Sequence, residues 1–299
     1  MKTLVIDVGG TYIKYGLIDE KLKISEAGKV EAVKTSIEDY LNVLVNIYNK
    51  LKENVDGVGF SMPGIINCET GYIHIGGAYN DIVHDINLKK ELEKRIDVPI
   101  AIANDAKCAA FAELGFGNLK DVDDGIMYVI GTGIGGCLIS GKKILQGKRF
   151  ASGEFSSVVT NSNDELDANN STAMRCGYLG LVDYVKEEYQ IERNFSGEEI
   201  FELVLKGEEK AKNALRKYCK QLAISFYNLQ AIFDPEKICV GGGISKQPIL
   251  FEYINEELDE ICVSYNNVIT KPQIVQSYFN NDANLIGAYY NLKEHLEKN

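Results

Sequence analysis

The chain has 299 residues, of which 45% are hydrophobic and 25% charged, an ordinary globular composition whose length suggests about two domains. Asp and Glu (43) outnumber Lys and Arg (32), and the net charge of −11 leaves little material for the basic face that nucleic acid requires. No apolar run approaches the ~18 residues of a membrane span, the N-terminal MKTLVIDVGG lacks the parts of a secretory signal, and the seven cysteines form no CxxC pair, so the sequence predicts a reduced, cytoplasmic protein with no nucleic-acid or membrane partner.

In chain order, residues 3–8 read as a strand, Gly9-Gly10-Thr11 as a turn and 12–18 as the return strand of a hairpin. Ser36 with Asp39 three residues on makes a capping-box-like helix start, and Ile37, Leu41, Leu44, Tyr48 and Leu51 fall on one helical face. Buried strands over 55–60 and 98–103 run into Pro63-Gly64 and Asn104-Asp105, and the following AKCAAFAEL has helical composition. The charged, turn-rich stretch 117–125 marks a domain boundary, after which the opening pattern recurs: strand 126–130, turn Gly131-Thr132-Gly133, strand 134–139. Residues 160–172 are polar and read as a mobile loop. A long amphipathic helix over 209–233 stops at Asp234-Pro235, a strand over 237–240 delivers Gly241-Gly242-Gly243, a helix follows Pro248, and 283–296 is helical.

Three glycine turns therefore each follow a strand. Glycine lets backbone N–H groups approach an anion, and Thr11 or Thr132 adds a hydroxyl donor. One such turn is usually a tight hairpin; three in one chain, two in near-identical contexts, point to phosphate. None fits a P-loop, which needs Gly-Lys-Ser/Thr, and Gly133-Ile134-Gly135-Gly136 lacks the third glycine and helix of a dinucleotide fingerprint. Phosphates would then be held between two β-hairpins. Asp7, two residues before the first turn, either orients a Mg²⁺-bound water or caps the turn. Lys14 either reaches phosphate or is a solvated strand residue. Asn104 and Asp105 suit a helix N-cap, yet a carboxylate at the C-terminal end of such a strand also lies where α/β sheets bind ligands, and a helix N-terminus keeps it ionised as a base must be. Glu154, among small residues, is either a ligand contact or an exposed turn residue.

Together these residues resemble the ROK family (repressors, uncharacterised frames and sugar kinases). Asp7-Val8-Gly9-Gly10-Thr11 with Lys14 and Gly16 resembles its first phosphate motif, 130–136 its second, and Gly241-Gly242-Gly243-Ile244 its adenosine motif; Pro63-Gly64, Asn104-Asp105 and Gly153-Glu154 resemble its sugar-side motifs. The resemblance implies an α/β, two-domain sugar kinase/actin/Hsp70-like (ribonuclease H-like) fold with a ligand cleft between domains that close over the sugar. The expected division is 1–118 completed by 284–299, and 119–283. It implies Asp105 as the base, Gly64, Asn104 and Glu154 at the sugar, ATP at Gly9, Gly10, Thr11, Lys14, Gly131, Thr132, Gly133, Gly135, Gly241, Gly242 and Gly243, Mg²⁺ near Asp7, and a homodimer.

Many family members bind a structural zinc through a His and a cysteine cluster. Here Ser156 and Ser157 stand at the Gly-His positions, and Cys176 is at most one cysteine of the cluster, with Leu181 where another is expected, so the resemblance implies no zinc. A zinc-less subgroup, the β-glucoside kinases, is the nearer match through Thr70-Gly71, Gly76-Gly77-Ala78, Arg149-Phe150, Tyr227-Asn228-Leu229 and 281–288. The implied reaction is phosphorylation of the 6-hydroxyl of glucose or of the non-reducing glucose of a β-glucoside such as cellobiose. N-acetylmannosamine kinase and glucokinase are the alternatives within the family, and a non-catalytic sugar sensor outside catalysis; a repressor is disfavoured by a first motif starting at Asp7 and by the charge. One of Tyr79, Asn80 and His84 is a candidate for lining an aglycone subsite, and because a lone histidine is usually a surface residue His84 is left out of the site.

Overall fold

A computed structural model describes residues 1–53, 55–160 and 168–298. The chain divides into two compact units, one of residues 1–120, 146–152 and 281–299, the other of 121–145 and 153–280.

In the first unit β1 (Thr3–Val8), β2 (Tyr12–Ile18) and β3 (Ile24–Glu31) form an antiparallel meander. α1 (Ile37–Leu51) starts where Ser36 Oγ accepts the Asp39 N–H at 3.1 Å, and buries Leu41, Leu44, Tyr48 and Leu51. β4 (Gly57–Met62) pairs parallel with β1 and is buried at every position, the mark of a central parallel strand. A small sheet of β5 (Ile65–Asn67), β6 (Tyr72–Ile75) and β7 (Ile86–Asn87) follows, with α2 (Asn80–Val83) before β7 and α3 (Leu88–Glu93) after it. β8 (Ile100–Asn104) extends the main sheet in parallel beside β4 and leads directly into α4 (Asp105–Phe116). The sheet order is β3-β2-β1-β4-β8.

The second unit repeats this plan. β9 (Gly125–Ile130), β10 (Ile134–Ser140) and β11 (Lys143–Leu145) form the meander; α5 (Thr172–Cys176), α6 (Tyr178–Tyr189), α7 (Gly197–Leu205) and α8 (Glu209–Phe233) follow. β12 (Lys237–Gly242) lies parallel to β9, and after α9 (Pro248–Ser264) β13 (Ile274–Gln276) completes the order β11-β10-β9-β12-β13. Asp234, at φ +50°, ends α8 in the left-handed conformation, and Pro235 prevents its continuation. Of the polar stretch 160–172, residues 161–167 lie outside the described residues; Ala168–Asn170 form a 3₁₀ turn and Thr172 opens α5.

The C-terminal helix α10 (Ala283–Lys298) returns to the first unit and packs on α4, β4 and β1. Two glycines make this close approach possible: a Cβ on Gly287 would lie 1.7 Å from Cys108 O, and one on Gly59 2.3 Å from Ala288 O. Each unit thus carries the five-stranded ribonuclease H-like sheet, three antiparallel strands joined to two parallel ones.

Candidate functional site

In the first unit the C-terminal ends of β1 and β8 carry the two acidic residues. Asp7 stands opposite Lys14 in the β1–β2 register. Its Oδ1 accepts from Ser61 Oγ at 2.9 Å and from Asn284 Nδ2 at 3.1 Å, while Oδ2 has no hydrogen bond among the described residues. The carboxylate is therefore held by β4 and α10 rather than capping the glycine turn. Burial pushes its pKa above the usual value, against the pull of Ser61, Asn284 and Lys14.

Asn104 caps α4: its Oδ1 accepts the Lys107 N–H at 3.2 Å, and its Nδ2 donates to Gly64 O at 2.8 Å. Gly64 has φ +120°, and a Cβ there would lie 2.1 Å from Ile75 O, so glycine is required where the loop passes β6. Asp105 is the first residue of α4, with Oδ1 accepting the Ala106 N–H at 2.8 Å. Burial raises its pKa to about 6 and the Asp7 charge adds to the rise, against the helix-start amides and Asn104. A carboxylate poised near neutrality beside a second carboxylate is suited to accept a proton and to share a cation.

The first glycine turn is closed by the Gly9 N–H donating to Tyr12 O at 3.0 Å, and no protein atom lies within 4 Å of where a Cβ on Gly10 would be. Thr11 and Lys14 are exposed beside it. Tyr79, a candidate ligand contact from sequence, is instead buried, and its hydroxyl donates to Gly9 O at 2.7 Å, so it supports this turn from below. Asn80 Oδ1 accepts the Gly76 N–H at 3.0 Å, a local turn contact, and His84 is exposed beside Asp85.

In the second unit the turn 131–133 is held by the Gly131 N–H to Gly133 O (2.9 Å) and by the Tyr178 N–H, at the start of α6, to Gly131 O (2.9 Å). Gly177 admits Thr132, whose carbonyl oxygen would lie 2.5 Å from an added Cβ. Gly135 and Gly241 both pair with Val129, and Gly242 pairs with Ile130, so the second and third glycine turns emerge at the same end of the neighbouring strands β9 and β12. Gly242, at φ +101°, would place a Cβ 2.0 Å from Ile130 O, whereas Gly243 faces open space. Glu154 is half-buried at the head of the 3₁₀ turn Phe155–Ser157, with Gly153 (φ +84°) packed against Cys137 of β10.

Sequence reasoning missed Ser61 and Asn284. Ser61 was detectable as a polar residue in an otherwise apolar buried strand, while Asn284, although within the family-like segment 281–288, lies 277 positions from its partner, and nothing in that segment points to Asp7. Among the described residues no group of three or more His, Cys, Asp or Glu is placed to hold a metal, and no helix is long and apolar enough to cross a membrane. All seven cysteines are buried.

A model of the ROK family matches residues 3–295. A β-glucoside kinase of Listeria monocytogenes serovar 1/2a is 31% identical over 300 residues, covering 97% of each chain. An N-acetyl-D-glucosamine kinase of Aliivibrio fischeri is 28% identical over 313 residues, covering 96% of this chain and 98% of its own. Among solved structures, a ROK family protein from Streptococcus pneumoniae TIGR4 in complex with sucrose matches with a TM-score of 0.88 and 27% identity over the whole of both chains.

Proposed function

This chain belongs to the ROK family and is a sugar kinase, and we propose that it transfers the γ-phosphoryl group of ATP to the 6-hydroxyl of glucose or of the non-reducing glucose of a β-glucoside such as cellobiose. The observation that carries the reading is Asp105: a carboxylate at a helix N-terminus, raised to about 6, with Asp7 close enough to contribute to the rise. Asp105 accepts the proton of the 6-hydroxyl as its oxygen bonds to the γ-phosphorus; the bond from that phosphorus to the β–γ bridging oxygen breaks, and ADP leaves. Asn104 fixes the first turn of α4 and Gly64 O, and Glu154 is a partner for sugar hydroxyls.

The residues fit a divalent cation and a nucleotide. Asp7 has an oxygen without a hydrogen bond among the described residues, its neighbour Asp105 is a second carboxylate, and Gly10 and Gly243 have open space where a side chain would otherwise stand. Mg²⁺ near Asp7 would neutralise the phosphate oxygens during transfer. Thr11, Lys14, Gly9, Gly131, Thr132, Gly133, Gly135, Gly241 and Gly242 complete the nucleotide-binding set.

The β-glucoside preference draws support from the 31%-identical relative and from Gly76-Gly77-Ala78; the relative in complex with sucrose, an α-glucoside, supports only room for a second sugar ring. Seven buried thiols suit the cytoplasm, and the family resemblance suggests a homodimer. Coupled ADP release measured over glucose, cellobiose, gentiobiose, N-acetylglucosamine and N-acetylmannosamine tests the reading. Stimulation by cellobiose or glucose supports it; preference for an N-acetylated sugar replaces the substrate assignment, and no stimulation by any sugar refutes the kinase.

A further inference from the structure

Segment 146–152 belongs to the first unit although its neighbours in sequence belong to the second. It is attached there at three points. The Cys68 N–H donates to Gln146 Oε1 at 2.9 Å, Lys107 Nζ donates to Phe150 O at 2.8 Å, and the Phe150 ring stacks on His74 with centroids 5.2 Å apart and planes 14° apart. Tyr72, two residues from His74 on the same face of β6, continues the series at 4.8 Å. All three residues are half-buried, so part of the surface of each is open to solvent.

Two unfavourable features converge on Phe150. It has φ +60°, a conformation that a bulky side chain avoids and that persists only where its surroundings enforce it. Lys107 is fully buried, and its amine has Phe150 O as its hydrogen-bond partner among the described residues, no carboxylate being paired with it. An apolar residue at 107 would pack with less cost if packing were all that mattered. The arrangement instead holds one ring in one place. That place adjoins the reacting end of the unit on two sides: Lys107 lies in the same helical turn as Asp105, and β6 contacts Gly64, which Asn104 holds.

We propose that Phe150, backed by His74 and Tyr72, is the platform for the ring carried on the anomeric oxygen of the substrate, and that Lys107 is the positioning residue that holds it there. The inference rests on the sugar-kinase reading above and deepens it. A β-linked pyranose has equatorial hydroxyls around its rim and C–H bonds on its faces; stacking a face on an aromatic ring removes apolar area from water while the hydroxyls stay solvated. The reacting ring, by contrast, needs the polar partners at Asn104 and Asp105. The platform therefore selects for a second ring and contributes nothing to a monosaccharide.

Calorimetric binding and steady-state turnover with glucose and cellobiose, on the wild type, Phe150→Ala, Phe150→Leu, Phe150→Tyr and Lys107→Met, test the inference. Phe150→Ala and Lys107→Met raise the Kd and KM for cellobiose roughly tenfold, with kcat and all glucose constants within about twofold. Phe150→Tyr keeps cellobiose affinity, and Phe150→Leu, which retains bulk without a ring, loses it even if the alanine variant fails to fold. Equal losses for glucose and cellobiose, equal affinity of the wild type for both sugars, or a leucine variant as good as tyrosine overturns the platform. A wild type that binds cellobiose through Phe150 yet phosphorylates no sugar instead refutes the kinase reading and leaves the platform standing.

Discussion

Replacing Asp105 by Asn separates what the fold prefers from what the reaction needs. The Asp105 carboxyl has its pKa raised from an ordinary 3.8 to about 6, chiefly by burial and further by Asp7. The folded chain therefore keeps a proton between these values that the unfolded chain has lost. The contribution of this group to stability is fully present below pH 3.8 and is lost as pH rises through 6. At 1.36 kcal/mol per pKa step, ionised Asp105 costs the folded state about 3 kcal/mol at pH 7.5, as an upper estimate. Asn is uncharged, retains an oxygen for the Ala106 N–H, and is itself a good residue at a helix start. Asp105→Asn is thus expected to melt several degrees above the wild type at pH 7.5, with the gain vanishing near pH 4, while sugar-dependent ADP release falls ~10²–10⁴-fold. Scanning calorimetry across pH 4–8 beside the coupled assay makes the measurement. Equal stability at both pH values refutes the buried-base argument, and retained turnover removes Asp105 from its role.

Further outcomes follow from the same geometry. The acid limb of kcat/KM against pH should have an apparent pKa near 6, and carboxyl NMR of Asp7→Asn should show Asp105 titrating lower, because a like charge has gone; an unmoved Asp105 would show that the two do not interact. Asn284→Ala and Ser61→Ala each remove a hydrogen bond to a buried carboxylate, about 1.5–3 kcal/mol, and should lower kcat/KM about 10–100-fold with circular dichroism unchanged. Gly287→Ala, whose Cβ would meet Cys108 O at 1.7 Å, should displace α10 and destabilise the protein by roughly 3 kcal/mol in urea titration; a neutral effect would mean the helix is not seated as described. Gly242→Ala, at φ +101° and 2.0 Å from Ile130 O, should weaken nucleotide binding more than sugar binding in calorimetry.

How much of this is legible in the chain depends on how local each signal is. The helix over 209–233 is read to the residue because its apolar period is long and Asp234-Pro235 ends it abruptly. The strand expected at 55–60 lies at Gly57–Met62, since a continuous apolar run gives no alternation to set its ends. β3 escapes the reading because it is an edge strand, exposed or half-buried at every position, without a clean two-residue period. β5, β6 and β7, of two to four residues, are too short for any periodicity. The recurring strand–turn–strand pattern does foreshadow two sheets of one strand order. At the site, Asp7, Asp105 and the glycine turns are visible as short motifs, because strand-to-turn junctions write their requirements into adjacent residues. The Ser61 and Asn284 contacts to Asp7, and the Lys107 contact to Phe150, join segments 54, 277 and 43 positions apart, and only packing reveals them.

The proposed transfer takes a proton from a sugar 6-hydroxyl as that oxygen receives the phosphoryl group. Its most direct test compares glucose with 6-deoxyglucose, with ³¹P NMR identifying the product. Glucose should yield glucose 6-phosphate, and 6-deoxyglucose should bind competitively without receiving a phosphoryl group. A phosphorylated 6-deoxyglucose, or a glucose product carrying phosphate at another oxygen, would contradict it.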